Sequence, residues 1–153
     1  MPMLQLPDCE LFYRVDDFTD PWTRPEAVLM LHGNAESSLS WYAWVPVLAR
    51  HFHVVRPDMR GYGQSTPMLR EYEWTLDKLV DDYCRLMDSL GIDRFHLVAA
   101  KIGGTIARAF AGRRPDRDEH RRTGGRVRPV AVQPGRPPEE VTRRAGSVSD
   151  RRN

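Results

Sequence analysis

Leu97-Val98-Ala99-Ala100-Lys101-Ile102-Gly103-Gly104-Thr105 reads as a buried strand that breaks sharply into a helix. The apolar residues leading to Ala99 suit a strand covered on both faces. Small residues at 99, 103 and 104 suit a turn whose apex backbone is strained and whose helix packs close to a sheet. The apex is Lys101. A strand that turns directly into a helix is the unit of a parallel sheet with helical crossovers, so this stretch sets an α/β reading for what precedes it.

Upstream, Ala27-Val28-Leu29-Met30-Leu31 is a second continuous apolar run, ending in His32-Gly33-Asn34. His53-Val54-Val55-Arg56-Pro57 is another short strand, stopped by proline. Residues 3–6 and 10–18 predict two short strands joined at Pro7-Asp8. The intervening text is helical. Residues 40–50 predict a helix with Ser40 as N-cap that Pro46 kinks or splits. Leu76, Leu79, Val80, Tyr83, Leu86, Met87 and Leu90 form one stripe, capped by Thr75 and closed by Gly91. Gly103 to Ala111 is a helix of small residues. The expectation is a mostly parallel sheet of about five strands with flanking helices, and there is no internal repeat.

Charge divides the chain. Residues 1–112 hold 11 Lys and Arg against 15 Asp and Glu, a net −4; residues 113–153 hold 12 Arg and 6 acids, a net +6. The overall +2 therefore describes neither part. Residues 113–153 contain no Leu, Ile, Met, Phe, Tyr or Trp, so nothing there offsets the entropy of ordering. The reading is a folded unit over 1–115 and a disordered tail over 116–153. Arg-, Pro- and Gly-dense text is what a G/C-rich gene encodes out of frame, and a frameshift from about residue 118 is one origin of the tail. A basic tail that binds nucleic acid or an acidic partner is the other. Its arginines are mixed with acids and no aromatic residue is present for base stacking, so no nucleic-acid partner is expected. Cys9 and Cys84 lack CxxC or metal-type spacing, and no stretch approaches the roughly 18 apolar residues of a membrane span. The expectation is a reduced, cytoplasmic protein without a membrane partner or cofactor.

Three segments, in order, carry a family likeness. They are Leu29-Met30-Leu31-His32-Gly33-Asn34; Asp58-Met59-Arg60-Gly61-Tyr62-Gly63-Gln64-Ser65, of the form D-x-R-G-x-G-x-S; and His96 to Thr105. Together they resemble the α/β-hydrolase superfamily, in particular its enol-lactonases, meta-cleavage-product hydrolases and esterases. The likeness covers about residues 1–115, the N-terminal half of such a domain. It implies that residues 97–105 form a nucleophile elbow and that the backbone N–H groups of Asn34 and Ile102 line an oxyanion hole. His32, Gly33, Gly103 and Gly104 have a second reading as turn-forming residues alone.

The departures are specific. Lys101 stands where the family has serine. A desolvated lysine there could form a Schiff base with a carbonyl; otherwise the substitution marks lost serine chemistry. The family's triad acid and histidine follow the elbow, but His120, Asp116 and Asp118 fall in the tail, and His51, His53 and His96 flank strands. No complete triad assembles. The strand over 95–99 would also have an open, apolar far edge. The expected substrate class is a small-molecule ester, lactone or carbonyl compound. The alternative is a non-catalytic half-domain that self-associates through that edge.

Overall fold

The computed structural model describes residues 2–112 and 128–131. Six strands form one sheet: β1 (Met3–Gln5), β2 (Glu10–Asp16), β3 (Ala27–Leu31), β4 (His53–Pro57), β5 (Phe95–Ala99) and β6 (Arg128–Ala131). Their spatial order is β1-β2-β4-β3-β5-β6. The β1–β2 and β2–β4 pairings are antiparallel, and β4–β3, β3–β5 and β5–β6 are parallel. Helices α1 (Val45–Leu48), α2 (Leu76–Ser89) and α3 (Ile102–Gly112) and a 3₁₀ turn (Ser38–Trp41) fill the crossovers.

Every residue of β3 and β5 is buried, which is why both read as unbroken apolar runs. Alternate side chains feed two layers. Leu29, Leu31 and Leu97 pack with Leu79, Tyr83 and Leu86 of α2 and Ile106 and Phe110 of α3. Val28, Met30 and Val98 pack with Trp41, Val45, Leu48 and Phe52 on the opposite face. α2 has the predicted ends. The Thr75 hydroxyl accepts from the Lys78 N–H at 3.2 Å. Gly91 is left-handed at φ 67°, with its N–H on Asp88 and that of Ile92 on Met87, a Schellman closure.

Two expectations are corrected. Residues 40–50 are split, one of the two outcomes expected of Pro46, but the N-cap is Ser37 and not Ser40. Pro46 lacks the N–H a helix interior needs and instead sits in the first turn of α1. The preceding 3₁₀ turn is capped by Ser37, whose side chain accepts from the Leu39 N–H; the Ser40 hydroxyl donates back to the Ser37 carbonyl. Nor does the far edge of β5 stand open. β6 runs parallel to it, from His96 opposite Arg128 to Ala99 opposite Ala131. A parallel ladder is made by backbone groups and does not require the large apolar side chains whose absence suggested disorder. Residues 113–127 and 132–153, where the frameshift reading falls, lie outside the described residues.

The loop 58–65 fastens the site-bearing turns to the N-terminal hairpin. Buried Asp58 accepts from the Ser38 N–H at 2.6 Å and the Gln64 N–H at 2.8 Å. Gly63 lies so close that a Cβ there would fall 2.0 Å from an Asp58 oxygen. The Ser65 hydroxyl donates to the Asp58 carbonyl at 2.7 Å and accepts from the Phe12 N–H at 2.9 Å. The Arg60 guanidinium, 3% exposed, makes two 2.6 Å bonds to Asp82, bonds to Asp8 at 2.8 and 3.1 Å, and a bond to the Tyr72 hydroxyl. The D-x-R-G-x-G-x-S residues are thus committed to structure.

Candidate active site at the carboxyl edge of the sheet

β3 and β5 end in register, Leu31 opposite Ala99, and the Ala100 N–H donates to the Leu31 carbonyl at 3.0 Å. The next residues of each chain segment therefore leave the same edge of the sheet side by side. After β5 the backbone turns at Lys101, which is left-handed at φ 54°, and enters α3. A non-glycine residue in that conformation is the strained apex predicted for the elbow. Gly103 is required by packing, since a Cβ there would lie 2.6 Å from the Leu31 carbonyl oxygen and 2.9 Å from that of His32. Gly104 is not required by packing, since a Cβ there meets nothing within 4 Å; its N–H donates to the Lys101 carbonyl at 2.9 Å.

The His32–Glu36 turn faces this elbow. His32 is buried. Its Nε2 accepts from the Met59 N–H at 2.9 Å, so Nδ1 carries the hydrogen and donates to the Gly33 carbonyl at 2.7 Å. Burial pushes the imidazole below its ordinary pKa of 6.5. Both ring nitrogens hold the turn in place, in keeping with a structural role. Gly33 lies under the lysine stem, where a Cβ would fall 2.5 Å from Cδ and 2.9 Å from Cβ of Lys101. Among the described residues no backbone oxygen takes the N–H of Asn34 or of Ile102.

Sequence reading missed Glu36. Lys101 Nζ donates to its Oε1 at 2.5 Å, and its Oε2 accepts from the Gly33 N–H at 2.9 Å. The lysine bond, first among the causes, holds the Glu36 carboxyl below the usual carboxylate range. The Lys101 side chain is 53% exposed and Glu36 is 27% exposed. The apex lysine is therefore solvated and ion-paired, not desolvated. The local signal for Glu36 was an acid three residues beyond Gly33; its pairing spans 65 residues and has no sequence signature.

The other histidines lie elsewhere. His53 pairs with Asp17 at 3.1 Å and His96 with Glu26 at 2.7 Å, at the amino ends of β4 and β5, and His51 is exposed. His120, Asp116 and Asp118 are outside the described residues. A groove of about 430 Å³ lined by Asp17, Glu26, His53, Asp93 and Arg94 also belongs to that amino edge, across the sheet from the elbow. Among the described residues no three His, Cys, Asp or Glu side chains could hold a metal ion, and no helix is long and apolar enough to cross a membrane.

Comparison with known proteins agrees with this geometry. The family model for the alpha/beta hydrolase fold matches residues 26–117. Epoxide hydrolase B of Mycobacterium tuberculosis is 36% identical over 91 residues, which are 59% of this chain and 26% of that protein. The 2-hydroxy-6-oxo-2,4-heptadienoate hydrolase of Pseudomonas putida is 33% identical over 93 residues, 59% of this chain and 33% of that protein. The crystal structure of the enol-lactonase from Burkholderia xenovorans superposes with a TM-score of 0.67 at 30% identity, covering 76% of this chain and 43% of that one. The chain spans less than half the length of each of these relatives.

Proposed function

Because the chain belongs to the alpha/beta hydrolase fold family, we propose that it presents the elbow and oxyanion turn of a hydrolase for a small-molecule ester, lactone or ketone carbonyl, without hydrolytic turnover of its own. The observation that carries the reading is the apex itself. Lys101 has the left-handed backbone of an elbow but offers an amine paired to Glu36 where the fold's esterases offer a hydroxyl. The N–H groups of Asn34 and Ile102 would receive the carbonyl oxygen as negative charge develops on it. A serine at the apex would need a histidine to take its proton, and each described histidine is exposed or engaged elsewhere. Nothing in this reading calls for a cofactor or a membrane, and it suits a cytoplasmic protein.

The test is release of p-nitrophenol from p-nitrophenyl acetate by the full chain and by Lys101→Ser. Neither should show sustained turnover above the uncatalysed rate. Robust turnover by Lys101→Ser would reveal a base outside the residues considered and overturn the proposal. A second reading, association through the sheet, draws on β6 ending the strand order with no further partner among the described residues. It requires a concentration-dependent dimer in sedimentation; a monomer at all concentrations rules it out.

A further inference from the structure

We infer that Lys101 is a single-use acyl acceptor: an activated ester or enol-lactone seated at the elbow passes its acyl group to Nζ, where it remains as an amide. The inference rests on the oxyanion role proposed for Asn34 and Ile102. Its own basis is the side-chain geometry at the apex. The lysine stem runs against Gly33, and Nζ is held 2.5 Å from Glu36, whose other oxygen is fixed on the Gly33 N–H. The amine is thereby tied to the same five-residue turn that carries the Asn34 N–H.

The step balances without any oxidant or cofactor. The free amine attacks the carbonyl carbon, forming a C–N bond, and the C–O bond to the leaving phenol, or to the enol of a lactone, breaks. The nitrogen's surplus proton passes to the Glu36 carboxylate and on to the leaving oxygen or solvent. Electrophiles of this kind react with the unprotonated form of an amine, so mildly alkaline conditions favour the step. In a serine elbow the acyl group is held as an ester that activated water cleaves. An amide is far less reactive, and the described histidines are exposed or engaged elsewhere. The group therefore stays.

The chain supplies its own control, because its only lysines are Lys78 and Lys101. Lys78 lies on α2, 43% exposed, and like Lys101 it is paired with a glutamate, Glu73 at 3.9 Å. It also donates to the Glu73 carbonyl at 3.0 Å and lies 4.9 Å over the Tyr72 ring, contacts whose effect on amine reactivity the second reagent reads out, and it has no elbow beside it. The full chain is treated with p-nitrophenyl acetate near pH 8.5, and in parallel with trinitrobenzenesulfonate, which labels amines without passing through an oxyanion. Peptide mapping then gives the rate at each lysine. The expected result is acetylation of Lys101 at least about tenfold faster than of Lys78, a modest share of what one oxyanion donor is worth. With trinitrobenzenesulfonate the two should react at similar rates. Equal acetylation of the two lysines, or the same preference with both reagents, overturns the inference and leaves the proposed lack of turnover intact. Sustained p-nitrophenol release with Lys101 acetylated overturns only the lack of turnover. Sustained release with Lys101 unlabelled overturns both.

Discussion

Gly103→Ala and Gly104→Ala should move stability in opposite directions, although the residues are neighbours at the start of one helix. An alanine Cβ at 103 would lie 2.6 Å from the Leu31 carbonyl oxygen, 2.9 Å from that of His32 and 3.1 Å from the Leu31 carbonyl carbon. All three are backbone atoms at the end of β3, and none can rotate aside. To reach ordinary contact near 3.4 Å, α3 and the strand end must part by roughly 0.8 Å, an overpacking cost of about 1–3 kcal/mol. At 104 the added methyl meets nothing within 4 Å. There the substitution removes glycine's unfolded-state freedom inside a helix and should gain about 0.5–1 kcal/mol. The variants should therefore differ by about 1.5–4 kcal/mol. With a urea slope of about 2 kcal/mol per molar, their unfolding midpoints should be about 1–2 M apart. The assay is urea denaturation followed by tryptophan fluorescence, with wild type between the two. A Gly103→Ala midpoint level with wild type, or a Gly104→Ala midpoint as low as that of Gly103→Ala, would refute the assignment of close approach to 103 alone.

Asp82→Ala should cost about 3–5 kcal/mol in the same assay, because it strips the bidentate partner from a guanidinium that is 3% exposed. Asp17→Ala, which breaks a pair whose members are 31% and 34% exposed, should cost no more than about 1 kcal/mol; equal losses would contradict the burial argument. His32 sets a pH dependence of definite sign. Burial lowers its folded pKa below 6.5, so under acid the unfolded chain binds the proton first, and stability falls as pH drops through about 6.5 at up to about 1.4 kcal/mol per unit. NMR titration of the ring checks this: a His32 resonance that titrates at 6.5 in the folded protein would sink it.

The parts of this fold that were legible in the sequence are those whose cause is local. β3 and β5 announced themselves because strands covered on both faces call for mostly apolar runs, and β4 through its paired valines and the proline that stops it. Thr75 and Gly91 marked the ends of α2 because a hydroxyl cap and a left-handed residue are requirements of the chain within one turn. The elbow was legible for the same reason, down to Lys101 at its apex. What escaped depends on distant partners. Nothing around Glu36 foretells Lys101, and Arg60 meets Asp82 and Asp8 across 22 and 52 residues. The glycines at 103 and 104 look alike in sequence, and only the approach of β3 separates them. β6 escaped because its pairing is made by the backbone, while the reading weighed side chains.

The polar ties between the N-terminal hairpin and the 58–66 loop have a kinetic consequence. Asp8, Phe12 and Glu10 meet their partners Arg60, Ser65 and Thr66 at sequence separations of 52, 53 and 56. The hairpin therefore leaves the ribosome well before its partners, and its bonds wait for residue 66 to emerge. Until then the Phe12 amide, which native structure buries, must be satisfied by water. Closing contacts over such a span draws on chain entropy before any native contact compensates it, which places the chain with slow, high-contact-order folders. The bonds that make the site's scaffold rigid once formed are thus also the ones that delay it, and the interval is one in which the apolar run of β3 and the valines of β4 are synthesised but not yet roofed.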